Sequence, residues 1–259
     1  MNNTILNIAL IQTDIIWEKP KENRALLTEK IESLKPETDL IILPEMFTTG
    51  FTMNTDLAEN MHDETITWMQ KIASENNCAI TGSVIIKERD KFYNRLLFVF
   101  PNGNIKTYDK RHSFTLANEH KTYTSGNSKL IVEYKGWKIC PLICYDLRFP
   151  VWSRNIEDYD LLIYTANWPE QRIYAWDSLL KARAIENLSY TIGVNRIGKD
   201  GNNHNYIGHS IALNFLGKPI TDKNCVTEKI IEFTLNKELQ NEQRNRFGFL
   251  NDKDTFSIQ

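Results

Sequence analysis

The sequence predicts an α/β protein, built as a four-layer αββα sandwich in which two β-sheets pack face to face between outer layers of helices. Three observations lead to this prediction. Strand-like runs are numerous, and most are apolar along nearly their whole length, which is typical of strands buried on both faces. The helix-like segments are apolar along one stripe only, so we expect them to cover the sheets from outside.

The strand-like runs are rich in Ile, Val, Leu and aromatic residues, and most are bounded by Gly, Asn, Asp or Pro. In chain order they are NIALIQ, DLIILPE, AITGSVII, NRLLFVF, SKLIVEY, WKICPLIC, DLLIYTAN, YTIGVN, HSIALNF and EKIIEFTL. A shorter alternating run in NIKTYDKRHSF predicts one more strand. Strands therefore dominate the predicted core.

Three segments have apolar residues at every third or fourth position, which predicts amphipathic helices. Their stripes are Leu27, Ile31 and Leu34; Ile66, Met69 and Ala73; and Trp176, Leu180, Ala184 and Leu188.

No linker divides the chain. The turn signals PNGN, KDGNN and FLGKP lie between strands and are too short to separate domains, so residues 1–259 are predicted to form a single domain. From about residue 240 the chain is polar with three spaced phenylalanines. This stretch is predicted to be a C-terminal tail, either docked on a neighbouring surface or subunit, or frayed.

Composition excludes several classes of partner. The formal net charge is -2, so we expect no binding to nucleic acid. No run approaches the roughly 18 apolar residues of a membrane span, so no membrane partner is expected. The start, MNNTILNIALIQ, lacks a basic region and is interpreted as a strand, not as a signal peptide. With four cysteines and no secretory signal, free thiols in the cytoplasm are predicted.

One cysteine stands where an apolar strand gives way to polar residues. In ICPLICYDLRFP the strand ends at Cys144, and Tyr145, Asp146 and Arg148 follow. Sites in α/β proteins form at the carboxyl edges of strands. A cysteine thiol is mostly protonated near pH 7, so a nucleophilic cysteine needs a base or a cation beside it. The alternative is a cysteine that only fills the core.

Two other strand ends carry the groups that such a cysteine requires. Glu45 follows Pro44 in DLIILPEMF and is the candidate base. Lys110 follows the short strand of NIKTYDKRHSF and is the candidate cation. Either residue alone is also typical of a solvated surface charge. The complementary chemistry of the three positions favours a common site.

The stretches LPEMF, YDKRH and CYDLRFP, in this order, resemble the nitrilase superfamily of carbon–nitrogen hydrolases. Within it the chain is most similar to omega-amidases of the bacterial YafV type. The similarity extends to FTTGF, NEHKTYTSGN, KARAIEN, NRIGKDGN and GHS, and so covers nearly the whole chain. The resemblance implies an αββα sandwich with a Glu, Lys and Cys catalytic set.

Residue by residue, the resemblance assigns three catalytic roles. Glu45 would be the general base and acid, Lys110 the electrophilic stabiliser, and Cys144 the nucleophile that forms a thioester. The backbone N–H of Tyr145 would join Lys110 in binding the oxyanion. Glu119, in NEHKTY, would position the substrate and the lysine, with a surface charge as its alternative.

Other residues are candidates for binding the substrate. Arg148 and Arg172 are predicted to hold a carboxylate, because guanidinium groups bind carboxylates with two hydrogen bonds. Arg148 has an alternative role, a pair with Asp146 that braces the loop. The pocket is predicted to be lined by aromatic residues, with plain packing as the alternative. These residues are Phe47, Phe51 and Trp168.

The resemblance implies a small-molecule amide substrate, a monoamide of a short 2-oxo dicarboxylic acid such as 2-oxoglutaramate or 2-oxosuccinamate, and assembly as a homodimer. The runners-up on the same scaffold are a deaminated glutathione amidase and an N-carbamoyl amine amidohydrolase, followed by a nitrile hydrolase. A papain-like hydrolase with His112 or His120 as base, and a noncatalytic binding protein, are the alternatives from other classes. No cofactor or metal is expected, because the histidines and cysteines lack metal-ligand spacing.

Overall fold

Two β-sheets form the centre of the structure, a computed structural model that describes residues 4–257. The strands are β1 (Ile5–Gln12), β2 (Leu40–Ile42), β3 (Ala79–Glu88), β4 (Lys91–Val99), β5 (Ile105–Asp109), β6 (Val132–Tyr134), β7 (Trp137–Ile143), β8 (Leu161–Ala166), β9 (Tyr190–Asn195), β10 (Ile197–Lys199), β11 (Asn205–Ile207), β12 (Ile211–Leu213) and β13 (Lys229–Asn236). The helices are α1 (Pro20–Glu32), α2 (Glu64–Glu75), α3 (Glu119–Thr122), α4 (Pro150–Ser153), α5 (Ile173–Asn187) and α6 (Lys237–Phe247).

The larger sheet has the strand order β13-β1-β2-β3-β4-β5, and the other has the order β12-β9-β8-β7-β6. Each sheet has a parallel centre, β1-β2-β3 in one and β7-β8-β9 in the other, and antiparallel outer strands. The parallel strands run through buried surroundings, which explains their nearly continuous apolar sequences. Parallel strands of one sheet all end at the same edge, the carboxyl edge. The residues that follow β2 therefore lie at the carboxyl edge of the larger sheet, and those that follow β7 lie at the carboxyl edge of the other sheet.

The two sheets pack against each other through apolar side chains. Ile8 and Leu10 of one sheet belong to the same buried cluster as Ile139 and Ile163 of the other. On the outer side of the larger sheet, α1 and α2 pack against a second cluster. On the outer side of the other sheet, α5 packs against a third cluster through Trp176 and Leu180. The predicted four-layer αββα fold is therefore confirmed.

The hairpin of β10 and β11 was not predicted as strands, although its KDGNN turn was. Its strands are only three residues long and carry little apolar periodicity. None of the helices in residues 4–257 is long and apolar enough to cross a membrane.

The predicted C-terminal tail contains helix α6. Asn236 caps the start of the helix, where its side chain accepts a hydrogen bond from the N–H of Glu238 at 2.9 Å, and Gly248, with a left-handed φ of 66°, caps its end. Its buried Gln240 donates to the carbonyl of Asp160 at 2.8 Å. Polar side chains attach this helix to the rest of the chain. Its sequence therefore needs no apolar stripe and shows none.

Candidate active site

Three distant segments bring Glu45, Lys110 and Cys144 to one cavity of about 670 Å³. Glu45 lies three residues after β2, while Lys110 directly follows β5 and Cys144 directly follows β7. All three side chains are buried, and only Cys144, with 9% of its surface exposed, retains appreciable access to solvent. The structure thus brings together the three positions that the sequence predicted.

Cys144 stands at a strained point of the backbone. Its φ of 41° lies in the left-handed region, which is unfavourable for a residue with a side chain. It begins a 3₁₀ turn, Cys144–Arg148, immediately after β7. The sharp reversal places the thiol at the cavity wall, and the N–H groups of the first turn have no acceptor within that turn. The backbone N–H of Tyr145 is one of these groups.

Asp146 holds this turn in place. Its Oδ2 accepts hydrogen bonds from the N–H of Ile143 at 3.0 Å and from the hydroxyl of Tyr108 at 2.7 Å, and its Oδ1 accepts one from the N–H of His112 at 3.1 Å. Arg183 of α5 donates to the carbonyl of Leu147 at 2.6 Å. The buried Asp146 therefore has a structural role, and its hydrogen bonds help to maintain the strained backbone at the thiol.

Glu45 has a hydrogen-bond donor on each carboxylate oxygen. Its Oε1 accepts from Lys110 Nζ at 2.9 Å and from Asn94 Nδ2 at 2.8 Å. Its Oε2 accepts from the backbone N–H of Asn167 at 2.9 Å. The carbonyl of Asn167 is in turn 3.8 Å from the sulfur of Cys144. Asn167 therefore connects the carboxylate to the thiol.

Glu119 lies behind Lys110 as seen from the cavity. Its two oxygens are 2.9 and 3.0 Å from Lys110 Nζ, and it also accepts from the N–H of Phe114 at 2.5 Å. It is fully buried and does not line the cavity. Glu119 thus contacts the lysine, in keeping with one half of its predicted role, but it does not reach the space where a substrate would bind.

Charge and burial set the ionisation of this cluster. Burial would lower the pKa of the Lys110 ammonium, but the charges of Glu119 and Glu45 outweigh it and raise that pKa above its ordinary value. Burial raises the pKa of Glu119, and Lys110 opposes this effect. Burial, and then the charge of Glu45, raise the pKa of the Cys144 thiol well above its ordinary value. The resting site therefore holds a neutral thiol and an ammonium ion, both within the cluster that contains Glu45.

Tyr145, Arg148, Arg172, Phe51 and Trp168 line the cavity as predicted. Arg148 lies over the ring of Trp168 at 5.1 Å, and Arg172 lies over the ring of Phe114 at 4.9 Å. Arg148 therefore stacks on an aromatic ring, and within residues 4–257 it does not form the ion pair with Asp146 that was the alternative prediction.

The prediction that Phe47 lines the pocket is wrong. Phe47 is fully buried in the cluster between the larger sheet and α2, where its ring lies 5.8 Å from that of Trp68. The chain turns after Glu45, so that two residues later the side chain points into the core on the helix side of the sheet.

The histidines considered as alternative bases lie elsewhere. His112 contacts Asp146 through Nδ1 at 2.7 Å and stacks on Phe149 with a ring separation of 3.6 Å. His120 is exposed on α3. Neither lines the cavity, whereas His204 does. No group of three or more His, Cys, Asp and Glu side chains within residues 4–257 is arranged to hold a metal ion.

Sequence reasoning missed Asn94 and Asn167, whose side chains or backbone contact Glu45. Asn94 is a buried polar residue within a strand that is otherwise largely apolar, and Asn167 follows β8 as Cys144 follows β7. A polar residue inside or directly after an apolar strand is the sequence signal that could have identified both asparagines. It is weak, because asparagine is also typical of strand ends and turns.

Comparisons with known proteins identify the family of this chain. A family model described as carbon–nitrogen hydrolase matches residues 7–244. The omega-amidase YafV of Escherichia coli (strain K12) is 42% identical over 253 residues, which cover 98% of each chain. The 2-oxoglutaramate amidase of Bacillus subtilis (strain 168) is 34% identical over 221 residues, which cover 83% of this chain and 85% of that protein.

Solved structures of similar fold were also found. A CN-hydrolase superfamily protein from Xanthomonas campestris, with an arsenic adduct in its active site, superimposes with a TM-score of 0.96 at 42% identity, covering 98% of this chain and 99% of that chain. A carbon–nitrogen hydrolase from Helicobacter pylori G27 has a TM-score of 0.89 at 20% identity, covering 98% of this chain and 96% of that chain. At 20% identity, the likeness to the Helicobacter pylori protein shows the fold alone.

Proposed function

The chain belongs to the carbon–nitrogen hydrolase family, and on that premise we propose that it is an omega-amidase that hydrolyses the terminal amide of short 2-oxo dicarboxylic acid monoamides, such as 2-oxoglutaramate and 2-oxosuccinamate. The observation that carries this proposal is the identity of 42% with an omega-amidase over nearly the full length of both chains. The predicted family is thereby confirmed. Catalysis by Glu45, Lys110 and Cys144 is proposed from their geometry.

In the first half of the reaction, the sulfur of Cys144 attacks the amide carbonyl carbon while Glu45 accepts the thiol proton. The carbonyl oxygen becomes an oxyanion, which the ammonium of Lys110 and the N–H of Tyr145 stabilise by about 3 kcal/mol per donor. The intermediate collapses, the carbon–nitrogen bond breaks, and Glu45 returns its proton to the leaving nitrogen. Ammonia departs and a thioester remains on Cys144.

The second half uses the same groups on water. Glu45 takes a proton from a water molecule, whose oxygen attacks the thioester carbonyl. The carbon–sulfur bond breaks, the acid is released, and the proton on Glu45 returns to the sulfur. Because ammonia leaves before water reacts, we expect ping-pong kinetics.

The cationic side of the cavity fits the carboxylate of a 2-oxo acid. Within the described residues, neither Arg148 nor Arg172 lies within 4.0 Å of a carboxylate oxygen, so the charge of each guanidinium is not neutralised by an ion pair. The acidic residues on the cavity wall already have partners: Glu18 accepts from Thr52 at 2.5 Å, and Asp200 accepts from Tyr206 at 2.8 Å. A substrate carboxylate would therefore find its charge complement at the two arginines.

Turnover of 2-oxoglutaramate tests the proposal directly. We expect the protein to release ammonia from it faster than from deaminated glutathione or an N-carbamoyl amine, and we expect no release by Cys144→Ala. The assay measures ammonia over a panel of small amides at equal concentration. If 2-oxoglutaramate is not hydrolysed while another amide of the panel is, the proposed substrate class is wrong.

Arg148→Gln and Arg172→Gln are each expected to raise the KM for 2-oxoglutaramate about tenfold or more, because each removes a charged hydrogen-bond donor to the carboxylate. The matched control is butyramide, an amide without a carboxylate, whose kcat/KM should stay within a factor of about three. Equal losses on both amides would contradict a role in carboxylate binding.

The homodimer and the cytoplasmic location stay predictions. Sedimentation of the purified protein across a range of concentrations would measure the first. A chain that remains monomeric at every concentration would contradict it.

A further inference from the structure

Asn94 is a buried side chain that the mechanism above does not use. It lies in β4, with 1% of its surface exposed, and its backbone carbonyl accepts a hydrogen bond from the N–H of Lys110 at 3.0 Å. Its Nδ2 lies 2.8 Å from Glu45 Oε1 and 3.4 Å from Glu119 Oε1. Its Oδ1 has no protein hydrogen-bond partner within residues 4–257. The side chain thus acts as a hydrogen-bond donor to two carboxylates.

Lys110 donates to the same two oxygens. Its Nζ lies 2.9 Å from Glu45 Oε1 and 2.9 Å from Glu119 Oε1. The two carboxylates are therefore bridged twice, once by a cation and once by a neutral amide. Because two carboxylates face one ammonium ion, the cluster carries excess negative charge in a buried place. The amide stabilises that charge without adding a second cation.

The donors also distinguish the two oxygens of Glu45. A carboxylate oxygen has two lone-pair sites, and Lys110 and Asn94 occupy both sites of Oε1. Oε2 accepts one hydrogen bond, from the N–H of Asn167 at 2.9 Å, and the carbonyl of the same residue contacts the sulfur of Cys144 at 3.8 Å. The lone pair that remains free is on Oε2, the oxygen held by the residue whose carbonyl contacts the thiol.

We propose that Asn94 is a positioning residue for proton transfer: together with Lys110 it holds Oε1 of Glu45, so that Oε2 is the atom that exchanges the proton with Cys144. This inference rests on the proposed function, in which Glu45 is the base. In the step concerned, the proton moves from sulfur to Oε2 as the sulfur forms its bond to the electrophilic carbon.

Removing the amide is expected to change how the site responds to pH. Burial already raises the pKa of Glu119, and without the amide donor the negative charge shared by the two carboxylates is still less stable. The other titratable groups that face the cluster are Lys110, Cys144 and Tyr123, whose phenol pKa burial and Glu119 raise above its ordinary value. Tyr123 therefore stays neutral, and the shift is assigned to the carboxylates.

The test measures alkylation of Cys144 by iodoacetamide between pH 5 and pH 9, followed by peptide mass, in the wild type, Asn94→Leu and Asn155→Leu. Asn155 is a matched control, since it is also buried and donates through Nδ2 to the carbonyl of Tyr159 at 2.9 Å, outside the cavity. We expect Asn94→Leu to react about 10- to 100-fold more slowly at neutral pH, with its rise in rate displaced to higher pH. Asn155→Leu should retain the wild-type profile.

An unchanged pH profile in folded Asn94→Leu would overturn the proposal, as would the same shift in Asn155→Leu. If Asn94→Leu does not fold, Asn94→Ser takes its place. Serine is smaller, and its hydroxyl is too short to bridge both carboxylates. The pH profile of its alkylation is compared with those of the wild type and Asn155→Leu. Iodoacetamide reports on the thiol whatever the natural substrate is. A protein that fails to hydrolyse 2-oxoglutaramate therefore refutes the proposed function without deciding the role of Asn94.

Discussion

Glu45→Gln is expected to lower kcat/KM for the amide substrate by about 10³-fold or more. General acid–base catalysis contributes about 10² to 10⁴ to a single step, and Glu45 is proposed to transfer protons in both halves of the reaction. Glutamine has nearly the same shape and keeps a carbonyl oxygen as hydrogen-bond acceptor, but it cannot accept a proton near neutral pH. The loss would therefore report on the chemistry and not on the packing.

The fold of this variant should be preserved. Lys110 keeps its contacts to Glu119 at 2.9 and 3.0 Å, so a neutral ion pair remains in place of a cluster with excess negative charge. The amide NH2 must face a donor that the carboxylate satisfied, so we expect the free energy of unfolding to fall by about 1 to 3 kcal/mol, too little to unfold the protein. Urea unfolding and steady-state kinetics measure the two quantities separately.

The same variant decides between a carboxylate base and a histidine base. The control is His120→Asn, which changes an exposed histidine that does not line the cavity and should leave kcat/KM unchanged. If Glu45→Gln retained full activity and a histidine variant lost it, the papain-like alternative would replace the mechanism proposed above.

The ends of the apolar strands were predictable because strands buried in an αββα sandwich leave a strong signal in the sequence. Glu45, Lys110 and Cys144 could each be placed at such an end from the local pattern. Their meeting in one cavity could not be derived from the pattern, because it depends on how two sheets are stacked. The resemblance to a known family supplied that step.

The supporting residues were less predictable, for physical reasons. Asn94 and Asn167 are short polar residues, and their sequence neighbours do not reveal that the Asn94 side chain and the Asn167 backbone N–H contact a buried carboxylate. Asp146 was considered only as a possible partner of Arg148, yet its hydrogen bonds to Ile143 and Tyr108 fix the turn. Phe47 was misplaced because the direction of a side chain after a strand depends on the turn that follows. Contacts across distant segments decide the cases of Asn94, Asn167 and Asp146, and a local turn decides that of Phe47.

Lys110→Met is expected to have the largest effect on stability, a loss of about 3 to 5 kcal/mol in the free energy of unfolding. Removing one partner of a buried ion pair leaves an uncompensated charge, and here two carboxylates, both fully buried, would lose their shared ammonium. A matched control is Lys129→Met, whose Nζ pairs at 3.0 Å with Glu157, a carboxylate that is partly exposed. That variant should lose no more than about 1 kcal/mol through its ion pair.

The loss in Lys110→Met should grow with pH. Burial already raises the pKa of Glu119 above its ordinary value of 4.5, and Lys110 opposes the rise. Without the lysine, the folded carboxylate holds a proton that the unfolded chain releases above 4.5, so the free energy of unfolding falls as the pH increases past that value. Urea unfolding of the variant and the wild type at pH 5 and pH 8 measures the difference. The double variant Lys110→Met, Glu119→Gln removes one of the two charges and should recover part of the stability at pH 8. A loss that is equal at both pH values, or that Glu119→Gln does not relieve, would mean that the buried charges are not its cause.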